Sequence, residues 1–165
     1  MTIAVGDRLP DVGLLRTGEN GPEEVRLADL TAGRKVVIFG LPGAFTKTCS
    51  AAHVPSFIRV RQALTEAGVD EVICIAVNDP AVMHAWAEAT GGDKGGITML
   101  GDPASDYTKG VGLAFTAPVA GFYDRTVRHS LYAEDGVVTL LHVEEERGVC
   151  NATAGETMLE AIKAR

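Results

Sequence analysis

Lys35-Val-Val-Ile-Phe-Gly40 and Glu71-Val-Ile-Cys-Ile-Ala-Val77 are continuous apolar runs of strand length, rich in β-branched residues, and predict two buried strands. Between them, Val54 to Ala67 carries Phe57, Val60 and Leu64 at helical spacing, with Pro55 expected to kink or restart the helix. Asn78-Asp79-Pro80 then opens a helix from Ala81 to Ala89, and Ile97 to Leu100 is a short strand. The stretch Gly101 to Gly121 is enriched in Gly, Ala and Pro but keeps Tyr107, Val111, Leu113 and Phe115, so it reads as a short helix plus ordered loops. Thr126 to Ala133 and Val137 to Val143 alternate in polarity, and Glu134-Asp135-Gly136 joins them with a strong hairpin signal. Finally, Thr153-Ala-Gly-Glu156 has the form of a capping box before Met158, Leu159 and Ile162, predicting a C-terminal helix.

The resulting order is β-α-β-α-β, a hairpin, then a helix. Such alternation implies a central mixed sheet flanked by helices on both faces, with parallel pairs at its centre, and the sum is an α/β, thioredoxin-like fold. At 165 residues, 46% hydrophobic and 22% charged, the chain predicts a single domain over residues 1–165 with a core sufficient without disulfides. Fifteen basic against 22 acidic side chains, with no basic cluster, argue against nucleic acid or an anionic membrane as partner. No apolar stretch approaches the ~18 residues of a membrane span. Met1-Thr-Ile-Ala-Val-Gly-Asp7 has neither a basic region nor an apolar one, so a cytoplasmic location is expected. Three cysteines are an odd and sparse set, leaving catalysis, redox exchange or plain burial as their roles.

Pro42-Gly-Ala-Phe-Thr-Lys-Thr-Cys49 changes this picture, because it sets a hydroxyl three positions before a thiol just after the first predicted strand. A strand that stops at Pro-Gly and restarts as a helix puts Cys49 at or near a helix N-terminus, where unpaired N–H groups favour an anion. The thiolate is the nucleophilic form, and such a position lowers a cysteine pKa from about 8.5 into the range of roughly 3.5 to 7.5.

Pro42, Thr46 and Cys49 form the pattern P-x-x-x-T-x-x-C. Together with Gly43-Ala44-Phe45, His53-Val-Pro55, Ile73-Cys-Ile-Ala-Val-Asn-Asp-Pro-Ala-Val-Met83 with Trp86, Arg125-Thr-Val-Arg128 and Glu134-Asp135-Gly136-Val-Val138, it resembles the type II, atypical two-cysteine (peroxiredoxin-five-like) group of peroxiredoxins. The resemblance spans nearly the whole chain. Two positions depart from the group's pattern: Lys47, commonly proline, which either adds positive potential near the thiolate or simply extends into solvent, and Ser56, commonly glycine.

The resemblance implies a thiol peroxidase acting on hydrogen peroxide and small alkyl hydroperoxides. Cys49 would attack a peroxide oxygen and become a sulfenic acid. Thr46, able to accept one hydrogen bond and donate another, would bridge thiolate and peroxide. Pro42 would shape and dry the pocket wall. Arg128, on the predicted strand Thr126 to Ala133, would hold thiolate and peroxide oxygen with its planar fork, with Arg125 in support. Gly43 and Phe45 would line the substrate pocket; Phe45 and Trp86 are read either as an apolar collar or as ordinary core or dimer contact. For recycling, three routes stand open: Cys150, in the polar loop Arg147-Gly-Val-Cys-Asn151, Cys74, on an apolar strand, or an external thiol such as glutathione or glutaredoxin.

The resemblance further implies thioredoxin, glutaredoxin or glutathione as reductant, and a homodimer. No cofactor and no metal are expected: Cys49 and His53 supply only two ligands, while His84, His129 and His142 show no ligand spacing, so His53 is read as a packing or hydrogen-bonding residue. A non-catalytic redox sensor using the same oxidisable Cys49 is the rival reading. A disulfide oxidoreductase is disfavoured by the absence of C-x-x-C.

Overall fold

The computed structural model describes residues 1–165, the side chain of Cys49 excepted. The chain runs β1 (Gly13–Gly18), β2 (Gly21–Arg26), α1 (Leu27–Thr31), β3 (Lys35–Leu41), a π-helical turn (Cys49–His53) leading into α2 (Val54–Glu66), and β4 (Glu71–Ala76). It continues with α3 (Pro80–Thr90), β5 (Ile97–Gly101), α4 (Asp106–Gly110), β6 (Ala114–Ala117), β7 (Phe122–Thr126), β8 (His129–Glu134), β9 (Val137–Val143) and α5 (Gly155–Lys163).

Seven strands form one sheet in the order β2-β1-β5-β4-β3-β8-β9, with β3, β4 and β5 parallel and β3–β8 and β8–β9 antiparallel. Side chains alternate across a strand. Val37, Phe39 and Leu41 of β3 therefore enter one core with Phe57 and Leu64 of α2, Trp86 of α3 and Met158 of α5, while Val36 and Ile38 enter a second with Leu27 of α1, Tyr107 of α4 and Leu131 of β8. Burial on both faces is why these strands read as unbroken apolar runs. The thioredoxin-like, mixed-sheet architecture predicted from the alternation is present. Among the described residues no helix is long and apolar enough to cross a membrane.

Local chemistry accounts for the turns. Asp79 caps α3 by accepting from Val82 N at 2.9 Å, with Pro80 at the first helical position. Asp135 and Gly136 both have positive φ, 50° and 76°, and link Glu134 to its cross-strand partner Val137, the geometry of a two-residue type I′ hairpin.

One part of the fold went unpredicted, and three expectations need correction. The N-terminal hairpin β1–β2 and helix α1 carry no clear period, because β2 (Gly-Pro-Glu-Glu-Val-Arg) is largely solvent-facing. The stretch 101–121 holds, beyond its short helix, the strand β6, which pairs with β7 in a separate two-stranded sheet. The predicted strand Thr126 to Ala133 is two strands: β7 ends at Thr126, β8 starts at His129, and Val127 and Arg128 cross from one sheet to the other. Last, the capping box at Thr153 does not form. Thr153 donates from Oγ1 (2.7 Å) and N (3.1 Å) to the Glu144 carboxylate, Glu156 pairs with Arg59 at 3.0 Å, and Ala154 is the cap residue.

Helix α5 is instead fastened to α2 by Ser56, whose hydroxyl donates to His53 O (2.7 Å) and accepts from Gly155 N (2.9 Å). A Cβ on Gly155 would lie 2.5 Å from the Ser56 carbonyl oxygen. Gly155→Ala is thus expected to cost about 1–3 kcal/mol by overpacking against backbone, read as a lower urea midpoint. An unchanged midpoint would show that the two helices separate freely here.

Candidate active site

Strand β3 runs out at Leu41, and its pairing with β8 sets Gly40 opposite His129. Continued, that register sets Leu41 across from Arg128, the residue preceding β8, and leaves Pro42 and Arg128 lining one cavity. The loop after Pro42 is braced from three sides: Arg125 NH1 donates to Pro42 O (2.9 Å), Ala44 N donates to Asn78 Oδ1 (2.9 Å), and Thr46 Oγ1 donates to Gly43 O (2.8 Å). Gly43 leaves room for Arg125, whose guanidinium would meet a Cβ there. Phe45, at φ 65°, holds a left-handed conformation uncommon for a bulky side chain and is 57% exposed. With its proton on Gly43 O, the Thr46 hydroxyl presents its oxygen as an acceptor.

Lys47 is exposed, and a helical turn begins at Lys47 and Thr48. Cys49 thus lies in the first turn of a helix, at the start of a π-helical segment, a local widening that recurs at functional sites. Its side chain, the expected nucleophile, lies outside the described residues. Of the two readings of Trp86 the core one holds: it is fully buried, and its Nε1 donates to Ser50 Oγ at 2.9 Å. An indole N–H must find a partner when buried, and Ser50 supplies it.

His53 closes the π turn and is fully buried. Its Nδ1 lies 2.9 Å from Arg128 NH1 and its Nε2 lies 3.1 Å from Thr153 O. A guanidinium can only donate and a carbonyl can only accept, so the imidazole is neutral with its hydrogen on Nε2. Burial holds its pKa well below 6.5, and the Arg128 charge and His129 push the same way. Both ring nitrogens are occupied, leaving none for a metal.

Arg128 is 5% exposed, and its carbonyl accepts from Glu144 N at 3.0 Å, one step beyond the pairing of His129 with Val143. Next to it His129 is also buried, between Tyr107 OH (2.8 Å) and Val127 O (2.8 Å), and burial lowers its pKa to about 4.

The two candidate resolving cysteines occupy contrasting places. Cys74 is fully buried on β4, between Phe39 of β3 and Met99 of β5. Cys150 is half-buried in a loop that runs along the active-site helix: Thr48 Oγ1 donates to Gly148 O (3.0 Å), His53 reaches Thr153 O and Ser56 meets Gly155 N. Cys150 lies between the first two of these tethers, as Cys49 lies between Thr48 and His53.

A cavity of about 320 Å³ opens beside this assembly, lined by Pro42, Phe115, Val127, Arg128 and the loop residues 144–148. Phe45 and Gly43 are not among its lining residues. Phe115, Thr48, Asn78 and Glu144 were not legible as site residues. Phe115 sits in the Gly-rich stretch, and Glu144 is one of three successive acids with nothing in the pattern to single it out.

This fold and loop geometry match known proteins. The redoxin family pattern covers residues 4–158. The chain is 41% identical to Peroxiredoxin-2E-2, chloroplastic, of Oryza sativa subsp. japonica over 98% of this chain and 73% of that one. It is also 41% identical to Peroxiredoxin-2C of the same organism, over 97% and 98%. Reduced Prx3 from Vibrio vulnificus, solved in complex with H2O2, superposes with a TM-score of 0.89 at 39% identity over 98% of this chain and 99% of that one. The chain belongs to the redoxin family, among the peroxiredoxins.

The buried imidazoles set an acid limit. An unfolded histidine protonates near pH 6.5, His53 only well below that and His129 near 4. Below 6.5 the unfolded chain therefore binds more protons, so stability present at neutral pH is lost as the pH falls, by up to about 1.4 kcal/mol per pH unit for each group. Urea midpoints should drop steadily from about pH 6.5 to about pH 4.5; a flat profile would mean that these imidazoles are not neutral in the native state.

Proposed function

We propose that this peroxiredoxin is a thiol-dependent peroxidase in which Cys49 reduces hydrogen peroxide and small alkyl hydroperoxides. One observation carries the assignment of its parts: a buried arginine, Arg128, bonded to His53 at the end of the helical turn that begins at Cys49, lines a cavity together with Pro42. The O–O bond is weak, so the protein's task is to hold a thiolate in line with it and stabilise charge on the leaving oxygen.

In this reading the Cys49 thiolate attacks the terminal peroxide oxygen. The S–O bond forms, the O–O bond breaks, the transferred oxygen keeps the peroxide proton, and the leaving oxygen takes a proton from solvent and departs as water or alcohol. Sulfur is oxidised to sulfenic acid. The Arg128 guanidinium stabilises the charge that develops on oxygen, and the Thr46 oxygen accepts from the peroxide O–H. Pro42 offers no N–H to compete for either group.

Cys150 is the favoured resolving residue, because its loop follows the active-site turn while Cys74 is locked between two strands. Its thiolate would attack the sulfenic sulfur, release water and leave a disulfide within the chain, which a thioredoxin, a glutaredoxin or glutathione would then reduce. Pairing into a homodimer is supported by the large apolar side chains left exposed: Phe45 in the loop after Pro42, Val119 in the turn between β6 and β7, and Tyr123 on β7.

Cys49→Ser is expected to abolish peroxide consumption, and Arg128→Met to lower the first-step rate by about 10²-fold, the scale of a lost charge-stabilising donor. Stopped-flow peroxide decay reads both. Oxidised wild type should yield a Cys49–Cys150 peptide on mass mapping, absent from Cys150→Ser. Turnover without Cys49 would sink the peroxidase reading, whereas a Cys49–Cys74 peptide would move the resolving role.

A further inference from the structure

We infer that Glu144 is a positioning residue for the peroxide-reducing step, acting on Arg128 through Thr153 and His53. The inference rests on the peroxidase reading above and extends it to a residue outside the pocket chemistry.

Glu144 follows directly on β9, and its N–H continues the ladder onto Arg128 O, so the two residues are cross-strand neighbours. Its side chain, 9% exposed, turns into the Cys150 loop. There Oε2 accepts from Asn151 N (3.2 Å), Thr153 N (3.1 Å) and Thr153 Oγ1 (2.7 Å), and Oε1 from Ala152 N (3.3 Å). Only an ionised carboxylate can accept from four donors and offer none in return. Burial alone would raise its pKa, but these hydrogen bonds outweigh it and hold the group below the usual carboxylate range. Glu145 and Glu146, next in sequence, are exposed.

The consequence passes through the Thr153 carbonyl. With Thr153 pinned by its N–H and hydroxyl, its carbonyl oxygen stands 3.1 Å from His53 Nε2 and fixes the hydrogen on that nitrogen. Only this tautomer leaves Nδ1 as an acceptor for Arg128. Were the Thr153 peptide to shift, an imidazole with its hydrogen on Nδ1 would face the guanidinium donor to donor. A partner that selects the tautomer of a functional histidine acts at a distance without touching substrate, as the outer groups of metal-bound histidines do.

The test compares Glu144→Gln with its parent in a Cys150→Ser background, where only oxidation of Cys49 is followed. Glutamine keeps the size but turns an NH2 group toward the loop N–H donors. The expected result is an approximately fivefold slower reaction with hydrogen peroxide, within the range carried by hydrogen-bonded networks. The pH profile of Cys49 alkylation should shift to higher pH, because a loosened Arg128 stabilises the thiolate less. Thr153→Val, a milder change, should do the same in smaller measure. In a His53→Asn background the Glu144→Gln effect should vanish, since the route is already cut.

A folded Glu144→Gln protein with an unchanged peroxide rate and alkylation profile would overturn the inference, as would an undiminished effect in the His53→Asn background. A purely structural role would lower the melting temperature without moving the alkylation profile. If the Cys150→Ser parent itself reacts with peroxide no faster than a simple thiol, the peroxidase reading falls as well, so the two failures are told apart.

Discussion

A single neutral imidazole sets the geometry of the site. His53 accepts from Arg128 on one nitrogen and donates to the Thr153 carbonyl with the other, and it can do both only while uncharged. Its burial is what keeps it so. Phe39 and Phe57 enclose the ring, with centroids 4.9 and 5.7 Å away, so core packing and polar geometry meet at one side chain. An exposed histidine in the same place would be partly protonated at neutral pH and would repel the guanidinium it has to hold.

The sheet supplies everything this imidazole joins. Strand β3 delivers the loop from Pro42 to Thr46 and, after it, the helical turn of Cys49. Its antiparallel neighbour β8 begins one residue after Arg128, and β9 brings Glu144 to the opposite rung. Adjacent strands β3, β8 and β9 therefore converge at one end of the sheet, although the residues they present are far apart in sequence. Arg125 fastens the same end by donating to the Pro42 carbonyl.

Much of the frame was legible because buried strands advertise themselves. β3 and β4 are apolar on both faces, the Asp135-Gly136 hairpin has turn chemistry that admits one geometry, and Asp79-Pro80 marks a helix start. What escaped lacks local signal. Strand β2 is largely solvent-facing and β6 is only four residues long, and the alternation from Thr126 to Ala133 continues across a break that only the change of sheet reveals. Thr153 and Glu156 have the spacing of a capping box, but each found a stronger tertiary partner. The Arg128–His53 contact spans 75 residues, and no period in the chain encodes it.

The same tethers bear on how a loop cysteine can serve a buried site. A disulfide needs Cα atoms within about 7 Å, so one of the two segments has to move unless they already lie that close. Ser56 binds Gly155 in a spot where even a methyl group would strike backbone, so the start of α5 stays with α2. The tether at Gly148 is a single hydroxyl bond from an exposed contact, and the bonds of Glu144 to Asn151 and Ala152 are long, 3.2 and 3.3 Å, whereas its bond to the Thr153 hydroxyl is short. Asn151 is also held by Thr157 Oγ1, which donates to its carbonyl at 2.9 Å, so the loop is fastened most from Asn151 to Thr153, where His53 is held, and by a single hydroxyl bond at Gly148 on the other side of Cys150. A shift of the loop before Cys150 would leave in place the hold of Thr153 on His53 and, through it, on Arg128.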